Sequence, residues 1–452
     1  MNRTADRTAV FETMPVRQAV CRQIIPAIAS QMIALIYNLA DTYFVGMLNE
    51  PNQTAAITVV YSSFVMLTAI SNLFGVGGAS ALSRALGVKR QGDAEGISAL
   101  SFWGGLGSAI LFSFIFFNFA RPILTACGAT PDVYEVAYRY ALWVVVFGGP
   151  GTILNTLLAN LVRAEGSAAA AAFGVSMGGI LNILLDPFFV LPQFLGMGAE
   201  GAGIATAISN TAAALYFLAY IAGKRGKTVV CIDPIRLRCA GRYLKTVLLI
   251  GFPSAVQYAL TVVAIAAQSR FVSQYTTEAM AALGIVKKLD QLPLYFSIGV
   301  SSGLLPLLAY NYSAGSQERR RRAFRFGTSV SLAFSLLCLA VYELFAPSLA
   351  ALFIRDPETI QYGADFLRRM VTAMPMMSVC YPMIIQFQAM GKFKESLVCS
   401  VLRKGVLDIP LLFLMNGLLG LYGCMWVQPI VDAISLTAAG YFYLRLRKRE
   451  GI

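Results

Sequence analysis

The sequence predicts an all-α polytopic membrane protein made of twelve transmembrane helices in two pseudo-symmetric bundles of six. Three observations carry that prediction. The chain has 452 residues, of which 57% are hydrophobic and only 13% charged, with a mean hydropathy of +0.66. A soluble protein carries roughly 25% charged residues, so about half of the usual solvating surface is missing. Apolar windows long enough to cross a hydrocarbon core about 30 Å thick recur along the whole chain. The second half of the sequence repeats the first.

The windows fall near 23–47, 54–83, 95–119, 133–157, 162–190, 201–223, 245–272, 280–309, 324–346, 360–389, 396–419 and 421–444. Several exceed one upright crossing, so tilt or interfacial ends are expected. Basic residues sort into alternate connections. The N-terminal segment and the connections holding Arg84, Lys89, Arg90, Arg163, Lys224 to Lys245, Arg319 to Arg325, Lys392 to Lys404 and Arg445 to Arg449 contain 28 of the 36 Lys and Arg. The intervening connections are acidic or neutral, with Glu50, Asp132, Glu135, Glu200, Glu278, Asp356 and Glu358. By the positive-inside rule both termini are expected in the cytoplasm, in the inner or plasma membrane of the cell. The run QERRRRAFR (317–325) reads as a topology determinant on a solvated loop. The same sorting accounts for the net charge of +13 and excludes nucleic acid as the partner; the lipid bilayer takes that place.

The polar start MNRTADRTAVFET shows no signal-peptide cleavage pattern. The eight cysteines form no CxxC and read as free thiols in apolar windows. The chain contains no histidine, hence lacks the commonest general base and metal ligand, and it has no GxxxxGK[ST] phosphate loop. No cofactor and no enzyme activity are expected.

Aligning Pro26 with Pro253 superposes IIPAIASQ (24–31) on GFPSAVQY (251–258) and YFVG (43–46) on RFVS (270–273). Pro131 then meets Pro357, and Pro187 of LDPFF meets Pro410 of DIPLL. Repeats of six helices keep their orientation, so the halves should be related by an axis along the membrane normal, with a cavity between them near the midplane. The expected units are 1–223, a basic linker at 224–244, and 245–452. Pro26 and Pro253 each remove a helix hydrogen bond and mark expected kinks. The glycine-rich runs FGVGGAS (74–80) and SGLLP (302–306) read as close-packing surfaces.

The repeat is asymmetric in its acids. Asp41 lies over Gln268 and Asp186 over Ile409. Burying a carboxylate in hydrocarbon costs at least about 2.5–3.5 kcal/mol, and the cost is incurred in the first half only. Asn182 and Asp186 share one helix face, Tyr37 and Asn38 lie a turn before Asp41, and Thr206 follows the glycine-rich entry to the sixth span. Such oxygen ligands suit a proton or a hard cation such as Na⁺. Taking a carboxylate out of water favours its protonated form, and a second acid nearby strengthens that preference. Elsewhere Asp290 follows Lys287 and Asp408 follows Lys404 at helical spacing, so each has an expected cationic mate. Glu343 reaches water, and Asp432 has no mate within a turn. Met374, Met376 and Met377 read as ordinary packing.

Taken together, YNLADTYFVG (37–46), NILLDPFFV (182–190), GMGAEGAGIATAIS (196–209), GFPSAVQ (251–257), GLLPLLAYNYSAG (303–315), YPMIIQFQAMGK (381–392), RKGVLDIPLLF (403–413) and GLYGCMWVQPIVD (420–432) resemble the multidrug and toxic compound extrusion (MATE) family over essentially the whole chain. The resemblance implies two six-helix bundles in a V that exchange inward- and outward-open states. It also implies export of bulky, often cationic or amphipathic organic compounds against H⁺ or Na⁺, by a monomer. Within the family the chain is similar to the DinF-like branch, whose coupling site in the N-terminal lobe matches Asp41, Asn182, Asp186 and Thr206, with Asn160, assigned to the fifth span, as a looser match. Pro26 matches the helix 1 proline proposed to bend on protonation. The branch that uses an acid on helix 7 finds only Gln257 and Gln268 here, which with Tyr37 and Asn38 become expected cavity residues. The alternative cargo, a lipid-linked or other amphipathic metabolite, requires a basic central cavity, for which the sequence offers only Arg270. A membrane enzyme lacks a nucleophile motif, and a pure channel does not need the buried acids.

Overall fold

The computed structural model describes residues 5–48, 50–239 and 241–449. Arg3, the outer ends of the two expected units, and Ala240 of the linker lie outside them. Among the described residues there is no strand. The helices are α1 (Ala5–Glu12), α2 (Val16–Gly46), α3 (Pro51–Gly87), α4 (Gln91–Ala126), α5 (Pro131–Ala141), α6 (Gly149–Ala164), α7 (Ala168–Val190) and α8 (Gly198–Gly223), followed by α9 (Gly241–Val272), α10 (Thr277–Ser313), α11 (Gln317–Ala351), α12 (Pro357–Met370), α13 (Met374–Ala389), α14 (Phe393–Val401), α15 (Asp408–Leu419) and α16 (Leu421–Arg449).

Nine of these, counting Pro357–Ala389 as one, are long and apolar enough to cross a membrane, and the bent pair Pro131–Phe147 and Gly149–Ala164 makes a tenth. The last two expected spans correspond to the interrupted pair α14 and α15 and to α16, whose Gln428 and Asp432 dilute its apolarity. The fourth span bends by 46° at its break. A π-helical stretch, Leu142–Phe147, precedes Gly148, and Pro150 starts the next helix without needing its missing N–H. That bend lengthens the fourth span to Ala164, so Asn160 belongs to it and not to the fifth, which begins at Ala168.

The expected kinks at Pro26 and Pro253 are not breaks: α2 and α9 run uninterrupted through them. Non-helical backbone appears at Phe119 and Phe345, just before Pro122 and Pro347.

The two halves touch at the end of the bundle that carries the basic connections. A Cβ on Gly303 would lie 2.8 Å from Ile24 Cα, and one on Gly299 2.7 Å from Ile28 Cα. Gly77 abuts the backbone of Val247, and Gly251 that of Leu73. The expected packing role of both glycine-rich runs therefore holds, with backbones in direct contact across the halves. The Ser80 hydroxyl donates to the Gln388 carbonyl at 2.7 Å across the same seam. Here one large hydrophobic core unites residues of both halves, from Phe74, Leu82 and Leu157 to Val247, Leu304 and Leu308. Toward the acidic end the core divides into one cluster around Val60, Phe116 and Ala141 and another around Leu283, Phe366 and Val431.

Helix α1 was not legible as an element. It seals the basic end, with Phe11 fully buried and Val10 nearly so and the Phe11 ring 5.2 Å from that of Tyr310. Arg319 donates to the carbonyls of Val10 (3.2 Å), Phe11 (2.6 Å) and Met14 (2.5 Å). Arg320 is buried against Met390 and the Tyr312 ring. The basic run thus anchors structure as well as marking topology, a correction to its reading as a solvated loop.

Candidate functional site

Two glycines decide how the expected coupling residues meet. A Cβ on Gly178 would contact the Ser209 carbonyl oxygen at 3.2 Å, and one on Gly179 would lie 2.8 Å from Ile33 Cγ2 and 3.1 Å from Tyr37 Cδ1. Their missing side chains let α7 pack against α8 on one flank and α2 on the other. Asn182 and Asp186, one and two turns further along α7, are thereby enclosed between the two neighbours. Asn182 is 2% exposed, Asp186 0% and Thr206 8%.

Asn182 Nδ2 donates to Asp186 Oδ1 at 3.2 Å and to Thr206 Oγ1 at 3.4 Å, tying α7 to α8. Three shielded acceptors are left without partners: Asn182 Oδ1, Asp186 Oδ2 and Asp41 Oδ1. Asp41, on α2, lies within electrostatic range of Asp186, and the hydroxyls of Tyr37 and Tyr140 are in range of both acids. A buried acceptor with nothing to accept costs free energy comparable to a lost hydrogen bond. These three unpartnered acceptors lie on the neighbouring helices α2 and α7, and the group they form is called the cradle below. The structure thus brings together Asp41, Asn182, Asp186 and Thr206 as the sequence predicts, with Tyr37 beside them.

Other expected members make further contacts. Asn160 Oδ1 accepts from Arg163 Nη1 at 3.0 Å, and its amide faces Gly75. Its side chain thus lies in the α3–α6 contact. Asn38 donates back to the Ala34 carbonyl at 2.7 Å within α2. Gln268 donates to the Cys424 carbonyl at 3.0 Å and ties α9 to α16. Gln257 is 8% exposed.

Tyr37, an expected cavity residue, belongs to a set of five tyrosines of which sequence reasoning missed the other four. Tyr295 lies within electrostatic range of Tyr37, Tyr61, Tyr258 and Tyr381, which come from α2, α3, α9, α10 and α13 and so from both halves. Tyr61 is 48% exposed, and the other four keep part of their surface open. Membrane tyrosines ordinarily sit at the interfacial ends of spans. These occur deep within their windows, and that depth was the available signal. Aromatic faces at this spacing suit apolar or cationic ligands.

The second half holds a different polar cluster. Arg403 is 1% exposed, and its Nε lies 3.0 Å from Asp432 Oδ1. The sequence placed Arg403 and Lys404 in a basic connection, whereas Arg403 lies buried here; Asp432 has no cationic mate within a turn, as expected, and finds one 29 residues away. Backbone of φ −138° at Lys404 and φ 120° at Gly405 breaks the helix and turns the two cations inward. Only glycine adopts the latter conformation readily. Lys404 Nζ donates to Gln428 Oε1 at 2.5 Å, while its expected mate Asp408 instead accepts from the Gly405 N–H at 2.7 Å. Met374 and Met377 are buried, as packing requires.

Fold and site together define a polytopic α-helical transporter with two repeated lobes and an acid-containing cradle in the first lobe alone. The chain belongs to the MatE family: the family's sequence profile matches residues 26–188 and again 253–414, once per lobe, beginning at the two repeat-related prolines. It is 27% identical over 439 residues to the multidrug export protein MepA of Staphylococcus aureus (strain MSSA476), covering 97% of this chain and 96% of that protein. It is 26% identical to the MepA of Staphylococcus saprophyticus over the same shares. Among solved structures, a MATE in complex with MaL6 superposes with a TM-score of 0.90 at 22% identity, covering 98% of each chain. The outward-facing conformation of a multidrug resistance MATE family transporter of the MOP superfamily gives 0.88 at 23% identity, with 96% of each covered.

Proposed function

We propose that the chain is a secondary active multidrug efflux transporter that exchanges bulky, often cationic organic compounds for H⁺ or Na⁺ by alternating access. The observation that carries this reading is the trio of unpartnered acceptors, Asp41 Oδ1, Asp186 Oδ2 and Asn182 Oδ1, confined to one lobe of a duplicated fold. Cation entry satisfies all three and neutralises the pair. Compound binding among the tyrosines favours the ionised pair, because negative charge holds a cationic ligand. Each ligand thus disfavours the other, which is the requirement for exchange.

The basic end faces the cytoplasm in this reading, so the closed seam at Gly77, Gly251, Gly299 and Gly303 belongs to an outward-directed state. The protein works as a monomer, residues 1–223 and 245–452 forming the lobes and 224–244 the link. The curated relatives named as multidrug export proteins support this class of cargo. A lipid-linked cargo finds less support, because Arg270 stands exposed at the acidic end of α9 and the inward Arg403 beside Tyr381 is already paired with Asp432 at 3.0 Å.

The test is proton release from purified protein on adding a cationic dye, with and without Na⁺. Release that Na⁺ leaves intact identifies H⁺ as the exchanged ion, and release that Na⁺ abolishes identifies a shared site. A protein that binds dye but releases no proton and shows no Na⁺ dependence overturns the proposal.

A further inference from the structure

The repeat extends into the polar clusters. Matching Pro187 to Pro410 places Asn182 of the first lobe on Gly405 of the second, and matching IATAIS (204–209) to IVDAIS (430–435) places Thr206 on Asp432. Both lobes therefore put a polar site at the junction of their fifth and sixth spans, and the two sites differ in how their acceptors are used. In the first lobe Asp186 Oδ2 and Asn182 Oδ1 have no partner. In the second, Asp432 is 1% exposed and both its oxygens are taken, Oδ1 by Arg403 Nε at 3.0 Å and Oδ2 by Gln428 Nε2 at 2.9 Å.

The chain departs from helical geometry directly after Arg403, at Lys404 and Gly405. The equivalent stretch of the first lobe, inside α7, is continuous helix. A salt bridge needed for packing alone could be built from two ordinary helix faces. Here the backbone leaves helical geometry beside the buried cation. Arg403 also lies over the Tyr381 ring, 4.0 Å from its centroid, and Tyr381 belongs to the tyrosine set between the lobes. One guanidinium nitrogen, Nη1, is buried without a partner.

We propose that Arg403 is a built-in monovalent cation, filling in the second lobe the site that an exchangeable cation fills in the first. The inference rests on the reading of the Asp41–Asp186 cradle as a cation site. It assigns Asp432 as the acid of a latent second site for a monovalent cation, and Arg403 as the positioning residue that keeps the second lobe in its occupied form. Exchange is then confined to one lobe, and one site sets the stoichiometry. Removing the tethered cation while keeping the acid should create a site that free guanidinium or an alkali cation enters.

The experiment measures the thermal unfolding of purified full-length protein carrying Asp41→Asn, which silences the first-lobe site. Three proteins are compared: D41N, D41N/R403A and D41N/R403A/D432N. Each is titrated with low-millimolar guanidinium, NaCl or choline chloride at constant ionic strength. The expected result is a lowered transition temperature for D41N/R403A that guanidinium, Na⁺ or both raise by several degrees and saturably, with choline inert. D41N and the triple variant should show no such response. Absence of a response in D41N/R403A, or an equal one in the triple variant, overturns the proposal.

Should D41N/R403A fail to fold, R403K and R403Q in the same background decide. A tethered charge predicts that R403K keeps the transition near that of D41N while R403Q lowers it, and equal loss in both overturns the proposal. Because Asp41 is absent throughout, these outcomes are independent of whether Asp41 couples transport. Failure of that reading would appear instead as unchanged dye-induced proton release in the single D41N protein.

Discussion

Asp41→Asn separates charge from shape at the cradle. Asp41 Oδ1 accepts no hydrogen bond, so the substitution removes none at that oxygen. The amide is nearly isosteric, and exchanging a buried unpaired carboxylate for a neutral group does not cost stability. Insertion and unfolding temperature should therefore stay close to those of the parent. Transport should not. One-for-one exchange of a singly charged dye for a monovalent cation moves no net charge, so a tenfold ion gradient, worth about 1.36 kcal/mol, supports about a tenfold dye gradient. If Asp41 carries the exchanged ion, that ratio collapses toward unity in the variant. Dye efflux from everted vesicles with an imposed gradient, normalised to the amount of inserted protein, measures it. Efflux at the parental rate, together with parental dye-induced proton release, would refute the assignment of Asp41 as the coupling acid.

Three further outcomes follow from the same geometry. Asn182→Ala removes the amide that bridges Asp186 and Thr206 and should cut gradient-driven efflux about tenfold or more while dye binding persists, consistent with about 1.5–3 kcal/mol for a hydrogen bond to a charged group; paired efflux and equilibrium binding measurements check it. Arg319→Ala frees three carbonyls at the end of α1 and should speed protease cleavage in that segment by about tenfold or more, at about 1–3 kcal/mol for buried acceptors left unpaired. Asp356 caps α12, with its Oδ2 accepting from the Thr359 N–H at 2.8 Å and hydroxyl at 2.7 Å; these bonds hold its carboxyl below the usual carboxylate range. A group lowered on folding contributes its stability above its unfolded value and loses it as the pH falls through the folded one. Asp356→Ala should therefore speed amide exchange at the start of α12 at neutral pH, and the difference should fade below the usual carboxylate range.

Which features could be read from the sequence follows from the distance over which each interaction acts. Asp41 and Asp186 stood out because a repeat supplies its own control: Gln268 and Ile409 show what those positions hold when no charge is needed. Asn182 and Thr206 followed from helical spacing and a neighbouring glycine-rich turn. Asn160 was misassigned because the break at Gly148 shifts the end of the fourth span by several residues, and a π-helical stretch leaves little trace in hydropathy. The Arg403–Asp432 pair was missed for another reason. Searching within one turn finds Lys404 for Asp408, whereas the bonds that form join α14's broken end to α16, 29 residues away. Helix α1 was missed because its composition is polar; only the partners supplied by α10 and α11 make Val10 and Phe11 buried.

The proposed exchange also needs a way for the cradle to act on the seam, and α2 is the element that touches both. Near its start, Gln23, Ile24 and Ile28 abut Gly303 and Gly299 of α10 with backbone-to-backbone contact. Further along, Ile33 and Tyr37 abut Gly179 of α7, and Asp41 follows one turn later. At a rise of about 1.5 Å per residue, Asp41 stands roughly 22 Å from Pro26 along one continuous helix. Pro26 lies inside the seam, where its ring has already removed one intrahelical hydrogen bond. A rotation of the Asp41 end, driven by filling or emptying the cradle, therefore meets least resistance at Pro26. The glycine contacts have no side chains to repack, so resistance to opening comes from the hydrophobic core that both halves share. The second lobe has no equivalent trigger, because its α9 carries Gln268, hydrogen-bonded to Cys424, in place of Asp41. Motion started in one lobe and resisted by the other is what makes a duplicated fold rock instead of loosening at both ends.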